Sequence, residues 1–286
     1  MKNITINTLL SFLVVFFVLE STSCKKDDPV DMMEQEQEQE QEPTIPSTFT
    51  QKTLFEKISY EQCGFCPSAT NRMLDFIDEQ PENTVFAVSV QYGDPFEIPH
   101  ADDLLKHFTA ANSTIFFPGF SVNRDFNGNT NHLFQTTNSE WEEIMDNYKS
   151  REATAGLSIN STVDGEKMDV EVSFLSNEAI SDAHLSLYIY EDKVPESSPG
   201  AQAGANGTGV YLHNNILRQV PTATYGTPVN VLIGEKSSLS FDDIDLSGLN
   251  VSNVGVIAFL HYSSEPYDIQ IINVQQTKAG ENQDFD

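Results

Sequence analysis

The sequence predicts an α/β domain followed by an all-β sandwich, carried behind an export leader. Three observations lead to this reading. A C-x-x-C-P motif, Cys63-Gly64-Phe65-Cys66-Pro67, stands between a short apolar run and an amphipathic stretch of helical spacing. From Ala153 onward the apolar residues recur at period two, the signature of half-buried strands. Ahead of both, an apolar run ends in small residues, Cys24 and an acidic repeat.

The leader comes first. Lys2 gives a short positive start, and Leu9 to Leu19 (LLSFLVVFFVL) is apolar except for Ser11. A helix needs roughly 20 such residues to cross a hydrocarbon core of about 30 Å, so this run is too short to span and has the length of a signal-peptide core. Ser21-Thr22-Ser23 then offers small side chains to a peptidase, which predicts a signal peptide over residues 1–23. Ser21-Thr22-Ser23-Cys24 resembles a bacterial lipobox, which implies that the Cys24 thiol is lipidated and becomes the new N-terminus. The usual leucine three positions before the cysteine is replaced by Ser21. Residues 24–47 follow as lipid anchor and acidic linker, including EQEQEQEQE over Glu34 to Glu42. That composition buries too little apolar area to fold and repels itself into an extended tether. No later segment is apolar enough to span a bilayer, so lipid is the predicted anchor. Simple secretion, with Cys24 incidental, is the alternative.

The chain has 286 residues and a formal charge of −28. Removing residues 1–23 deletes Lys2 and Glu20, and the two charges cancel. About 240 residues then remain beyond the linker, enough for two domains. Strong acidity argues against nucleic acid and against electrostatic docking on an anionic membrane. With Cys24 assigned to lipid, Cys63 and Cys66 are the one possible intramolecular pair, in an oxidising compartment.

Within residues 48–152, Thr53 to Ile58 reads as a strand and Ser68 to Asp78 as a helix with Cys66, Ala69, Met73, Phe76 and Ile77 on one face. Pro67 suits the first helical turn, where an N–H has no partner in any case. Val85 to Tyr92 is a second strand, Asp102 to Ala111 a helix, and Phe120 to Asn123 a strand after Pro118-Gly119. Ser139 and Glu142 have capping-box spacing, opening a helix with Trp141, Ile144, Met145 and Tyr148 on one face. Strand, C-x-x-C, helix, strand, then helix, proline and strand is the order of a thioredoxin-like domain. A thiolate at a helix N-terminus is stabilised by the free N–H groups there. Cys63 is expected to be the more exposed, attacking thiol and Cys66 the resolving one, exchanging through a mixed disulfide. A static disulfide is the competing reading. Zinc is a third, weakened because no second C-x-x-C occurs and the six histidines lack ligand spacing.

Leu54-Phe55-Glu56, the C-x-x-C-P motif, Phe117-Pro118-Gly119 with Asn123-Arg124, Tyr211-Leu212-His213-Asn214 and Leu217-Arg218 together resemble the outer-membrane lipoproteins related to the twenty-eight-kilodalton outer membrane protein. The resemblance covers nearly all of the mature chain. It implies a thioredoxin-like N-terminal side, a β-rich C-terminal part and a family role that is not well defined. It also implies that Pro118 is the cis-proline facing the dithiol. Two departures stand out. Gln62 occupies the place of the tryptophan that often precedes the first cysteine. Lys57 stands where a buried acid usually moves protons, with Glu56 the nearest acidic candidate.

Residues 153–286 predict an immunoglobulin-like sandwich of around eight strands, with Asp164-Gly165 marking a hairpin. Asp125 to Asn131 alternates oxygen-bearing side chains as calcium loops do, but its glycine is misplaced and the closing Glu is absent, which favours a polar turn, with a calcium loop as the alternative. Pro195 to Gly209 is a long loop of small residues, either a binding loop or an insertion. No cofactor motif occurs. Two functions follow: an envelope thiol–disulfide oxidoreductase acting on protein thiols, or a surface-binding lipoprotein in which Cys63–Cys66 is a brace. Lys25 after the cysteine, by resemblance to lipoprotein sorting rules, implies the outer membrane, facing the periplasm or the surface.

Overall fold

A strand covered on both sides must be apolar on both faces, and that constraint organises this molecule. The computed structural model describes residues 46, 48–108, 116–124, 138–207, 209–262 and 270–286. The predicted signal peptide, Cys24, the predicted linker apart from Pro46 and the turn expected at 125–131 lie outside the described residues.

The first part of the chain supplies β1 (Thr53–Ser59), α1 (Cys66–Asp78), β2 (Val85–Gln91), α2 (Ala101–Phe108), β3 (Gly119–Val122) and α3 (Asn138–Lys149). The fold from there is strand-rich. It runs β4 (Ala155–Asp164), β5 (Lys167–Ser176), β6 (Ile180–Glu191), β7 (Val194–Pro195), β8 (Leu212–His213), β9 (Ile216–Gln219) and β10 (Thr227–Val231). After these come β11 (Ser237–Asp245), β12 (Val254–Tyr262), β13 (Ile271–Lys278) and β14 (Asn282–Gln283). The architecture is therefore mostly β with few helices, in several sheets. Asp164 and Lys167 close the β4–β5 hairpin as the Asp164-Gly165 signal implied, with Gly165 at φ +61° in the turn.

The strands of the two sequence regions do not form separate sheets. One eight-stranded sheet has the order β13-β12-β6-β9-β2-β1-β3, with β10 added on β6. β1 pairs parallel with β2 and antiparallel with β3. The join between the two regions is narrow: β2 meets β9 at Ser89 opposite Ile216, where the Ser89 N–H donates to the Asn215 carbonyl at 2.6 Å. The sheet curls until its ends approach, and the Ile271 N–H of β13 donates to the carbonyl of Asn123, just after β3, at 3.1 Å.

Curling gives the sheet an inside and an outside, and alternation sorts the side chains. Leu54 and Ile58 of β1, Val88 of β2, Tyr188 of β6 and Phe259 of β12 share one buried cluster inside, closed at one end by Leu104 of α2. On the outside of β1–β3, Phe55 and Phe120 pack with Met73 and Phe76 of α1 and with Trp141 of α3. Trp141 meets Phe55, Phe76 and Phe120 edge-on, with ring centroids 5.1 to 5.6 Å apart. On the outside of β6 and β12, Leu185, Leu187, Val256 and Ala258 face Leu157, Val170 and Val172 of a second sheet ordered β11-β5-β4-β14. Two sheets thus face each other across this cluster, and one of them is the sheet that β1, β2 and β3 also join. The period-two pattern could not distinguish these arrangements, because it reports which face is buried and not which sheet a strand joins.

One polar group is set in the inner cluster. Glu56 lies between Leu54 and Ile58 on the inward face of β1 and is fully buried. Arg124 meets it with both carboxylate oxygens engaged, Nε to Oε2 and Nη2 to Oε1 at 2.7 Å each. Arg124 Nη2 also donates to the Tyr188 hydroxyl at 2.7 Å, and its guanidinium lies 5.0 Å from the Phe259 ring centroid. Glu56, the nearest acid the sequence offered to the dithiol, is therefore committed to the core.

Candidate functional site

The chain leaves β1 at Ser59 and turns twice before α1, with the Cys63 N–H on the Tyr60 carbonyl (3.0 Å) and the Cys66 N–H on the Cys63 carbonyl (3.1 Å). Cys66 is the first residue of α1, whose N-terminus has no side-chain cap and carries Pro67 in its first turn. Cys63 and Cys66 are joined in a disulfide, with Cα atoms 5.3 Å apart. Neither therefore offers a thiolate to a metal in this state. The Phe117–Pro118 bond is cis. Register places Gly119 opposite Ile58, so Pro118 lies beside the end of β1, and the Phe117 ring packs on Tyr60 at 4.7 Å.

Cys63 is 4 % exposed and Cys66 2 %, while Phe65 between them is 78 % exposed. The expected order of exposure holds only by this small margin, and Cys63 is buried too, because residues from beyond β7 lie against its loop. Gln202 Nε2 donates to the Cys63 carbonyl at 3.2 Å, and the Ala203 N–H donates to the Glu61 carbonyl at 2.7 Å. Glu61 is itself buried. Its carboxylate accepts the Ser197 N–H (2.7 Å) and the Ser197 hydroxyl (2.5 Å).

Beneath the loop is a buried polar group of residues. Lys57, on the outward face of β1, donates from Nζ to the Thr70 hydroxyl, which donates in turn to the Cys66 carbonyl at 2.9 Å. The Tyr211 ring stands against the His213 ring, with centroids 4.8 Å apart. His213 lies with Nε2 3.7 Å from Glu61 Oε1. Burial pushes the Lys57 amine from 10.5 down to about 7. Burial also pushes His213 down to about 4, with the Lys57 charge adding to it and Glu61 opposing. Asp94, which accepts the Phe96 and Glu61 N–H groups at 2.8 and 3.1 Å, is pushed up to about 6, chiefly by burial. The motif thus rests on an amine that releases its proton near neutrality, within two hydrogen bonds of the helix start.

Sequence reasoning singled out Cys63, Cys66 and Pro118. It quoted Tyr211 and His213 within a motif but gave them no place, and it missed Glu61, Thr70, Ser197 and Gln202. Their one available signal was the concentration of small residues in 195–209.

Between about pH 7 and 10.5 the folded chain holds fewer protons at Lys57 than the unfolded chain, so this group makes stability rise with pH across that window. Below about pH 7 the fold carries the cost of a buried ammonium. Lys57→Met is expected to flatten the rise in urea-unfolding free energy from pH 7 to 9.5 and to stabilise the protein at pH 6 by on the order of 1–4 kcal/mol. An unchanged slope would show that Lys57 is charged and solvated.

The chain matches the family model described as outer membrane protein Omp28 over residues 108–283, a span that begins after the disulfide. No curated protein matches it. Among solved structures it is similar to HBP35 of Porphyromonas gingivalis, with a TM-score of 0.70 at 20 % identity, covering 81 % of this chain and 76 % of that one. That likeness is one of fold. A domain of the outer membrane lipoprotein Omp28 from Porphyromonas gingivalis also matches, with a TM-score of 0.31 at 16 % identity, covering 45 % of this chain and 89 % of that one. The family match spans more than half of the 286 residues, and the chain belongs to the Omp28 family, proteins of the outer membrane of the cell envelope.

Proposed function

We propose that this protein is a lipid-anchored thiol–disulfide exchange protein of the outer membrane, with a thioredoxin-like N-terminal half and Cys63 and Cys66 as its reacting pair. The observation that carries the reading is the seat of the disulfide: Cys66 opens α1, with a buried amine two hydrogen bonds away. A partner thiolate attacks Cys63 Sγ, the Cys63–Cys66 bond breaks, and its electron pair leaves on Cys66 Sγ. That thiolate forms at the helix N-terminus, where free N–H groups favour negative charge. The thiolate then takes its proton from solvent, and the buried Lys57 amine, tied through Thr70 to the Cys66 carbonyl, adds positive charge near the helix start when it is protonated. The Cys24 lipid and the acidic linker hold the domain at the membrane while letting it reach partners.

A second reading is favoured by the burial of both cysteines. In it the disulfide braces the loop and the protein is a non-catalytic surface-binding lipoprotein.

Trapping separates the two. A Cys66→Ser variant is expected to accumulate mixed disulfides through Cys63 that dissolve in reductant, and the parent pair to have a reduction potential above about −300 mV. A lower potential with no trapped partner would support the brace. For the anchor, Cys24→Ala is expected to move the protein from the membrane fraction to the soluble one. Retention in the membrane fraction would contradict a lipid on Cys24.

A further inference from the structure

The segment that shields the disulfide comes from the far side of the sequence. It starts from β7 and returns at β8, which pair with Val194 opposite His213 and Pro195 opposite Leu212. Glu196 extends that pairing, its N–H donating to the Tyr211 carbonyl at 2.9 Å. The Glu196 carboxylate then draws the segment together. It accepts the Gln202 N–H (2.9 Å) and the Tyr211 N–H (3.2 Å). These donors, Gln202 foremost, hold its pKa below the usual carboxylate range.

The contacts to the cysteine loop are few and specific. Ser197 binds the Glu61 carboxylate, Ala203 the Glu61 carbonyl and Gln202 the Cys63 carbonyl. Gly204 lies flat on Gly64, with φ +74°, and a Cβ placed there would come within 1.9 Å of the Gly64 carbonyl oxygen. Only glycine permits both that backbone conformation and that approach. Apart from Gln202, the residues from Gly200 to Ala205 carry no side chain larger than a methyl group, so the segment adds little apolar burial to offset the entropy of ordering it. Its attachment rests on a handful of hydrogen bonds, which water can replace when the segment lifts. A cover held in this way belongs to the part of a protein that opens locally at low cost.

We propose that Glu196–Ala205 is a removable strap that occupies the approach to the Cys63–Cys66 disulfide, so that exchange waits on its displacement. This rests on the exchange reading above. It accounts for a disulfide that is seated for chemistry and yet covered. The strap follows β6 in the chain through β7.

The test uses the full chain and dithiothreitol, whose two thiols lose two electrons and two protons on closing to a ring disulfide while Cys63 and Cys66 gain them. The rate is read by alkylation and mass. Gly204→Ala lifts the strap by steric conflict, and Ser197→Ala/Gln202→Ala removes its side-chain hydrogen bonds without adding an atom. Both are expected to be reduced at least tenfold faster than the parent, with an unchanged near-UV circular dichroism spectrum. If Gly204→Ala does not fold, the double variant decides alone. A parent reduced as fast as the folded variants would overturn the strap and leave exchange standing. Faster reduction of the variants, combined with no mixed disulfide from Cys66→Ser even in the double-variant background, would uphold the strap as a cover and overturn exchange. Equal, slow reduction of all forms would overturn the strap as the barrier.

Discussion

The Glu56–Arg124 pair is the interaction on which the arrangement depends. A carboxylate at the centre of an apolar cluster is too costly to keep ionised without a partner, and here the partner comes from after β3, 68 residues further along. The pair also recruits the Tyr188 hydroxyl of β6 and the Phe259 ring of β12. Four strands or strand ends thereby converge on one buried charge. Burial alone would pull the guanidinium down, but Glu56 and the Tyr188 hydroxyl outweigh it and hold Arg124 above its ordinary value. Arg124 and Asn123 both have positive φ, 53° and 49°. That turn aims the guanidinium inward while the Asn123 side-chain oxygen accepts the Leu54 N–H at 2.8 Å.

The cysteine loop inherits its position from this pin. β1 presents Glu56 to the inside and Lys57 to the outside, so fixing the first fixes the second beneath Thr70 and the start of α1. The strap hangs from the end of β6, the strand whose Tyr188 joins the pin. Its register against Glu61 and Gly64 therefore depends on how β6 sits relative to β1. The direct strand contact between the two regions is narrow, at Ser89 and Ile216. Side-chain ties do the remaining work: the Lys52 N–H donates to Asn273 Oδ1 at 2.9 Å, and Lys52 Nζ donates to Gln275 Oε1 at 2.7 Å.

Local signals in the sequence were sound where the cause was local. The face of α1, the apolar runs of β1 and β2 and the Asp164-Gly165 turn follow from periodicity and turn chemistry, which a single stretch displays. The Omp28 resemblance rested on residues that prove to be structural joints, since Glu56, Asn123 and Arg124 form one contact set. What sequence could not show is pairing at long range. Nothing in Ser197 or Gln202 announces a partner near residue 61, and nothing in β9, four residues long and partly polar, marks it as the link to β2. The mean pattern of a small-residue loop does not reveal that one of its glycines rests on another backbone.

Whether the pin sets the whole is a matter of coupling. A double-mutant cycle in urea, comparing Arg124→Met, Glu56→Met and the pair, measures it most directly. Each single change is expected to cost about 3–5 kcal/mol by stranding a buried group, and the double change to cost clearly less than their sum. Strictly additive costs, or an Arg124→Met protein as stable as the parent, would contradict the claim that this buried pair joins the two regions.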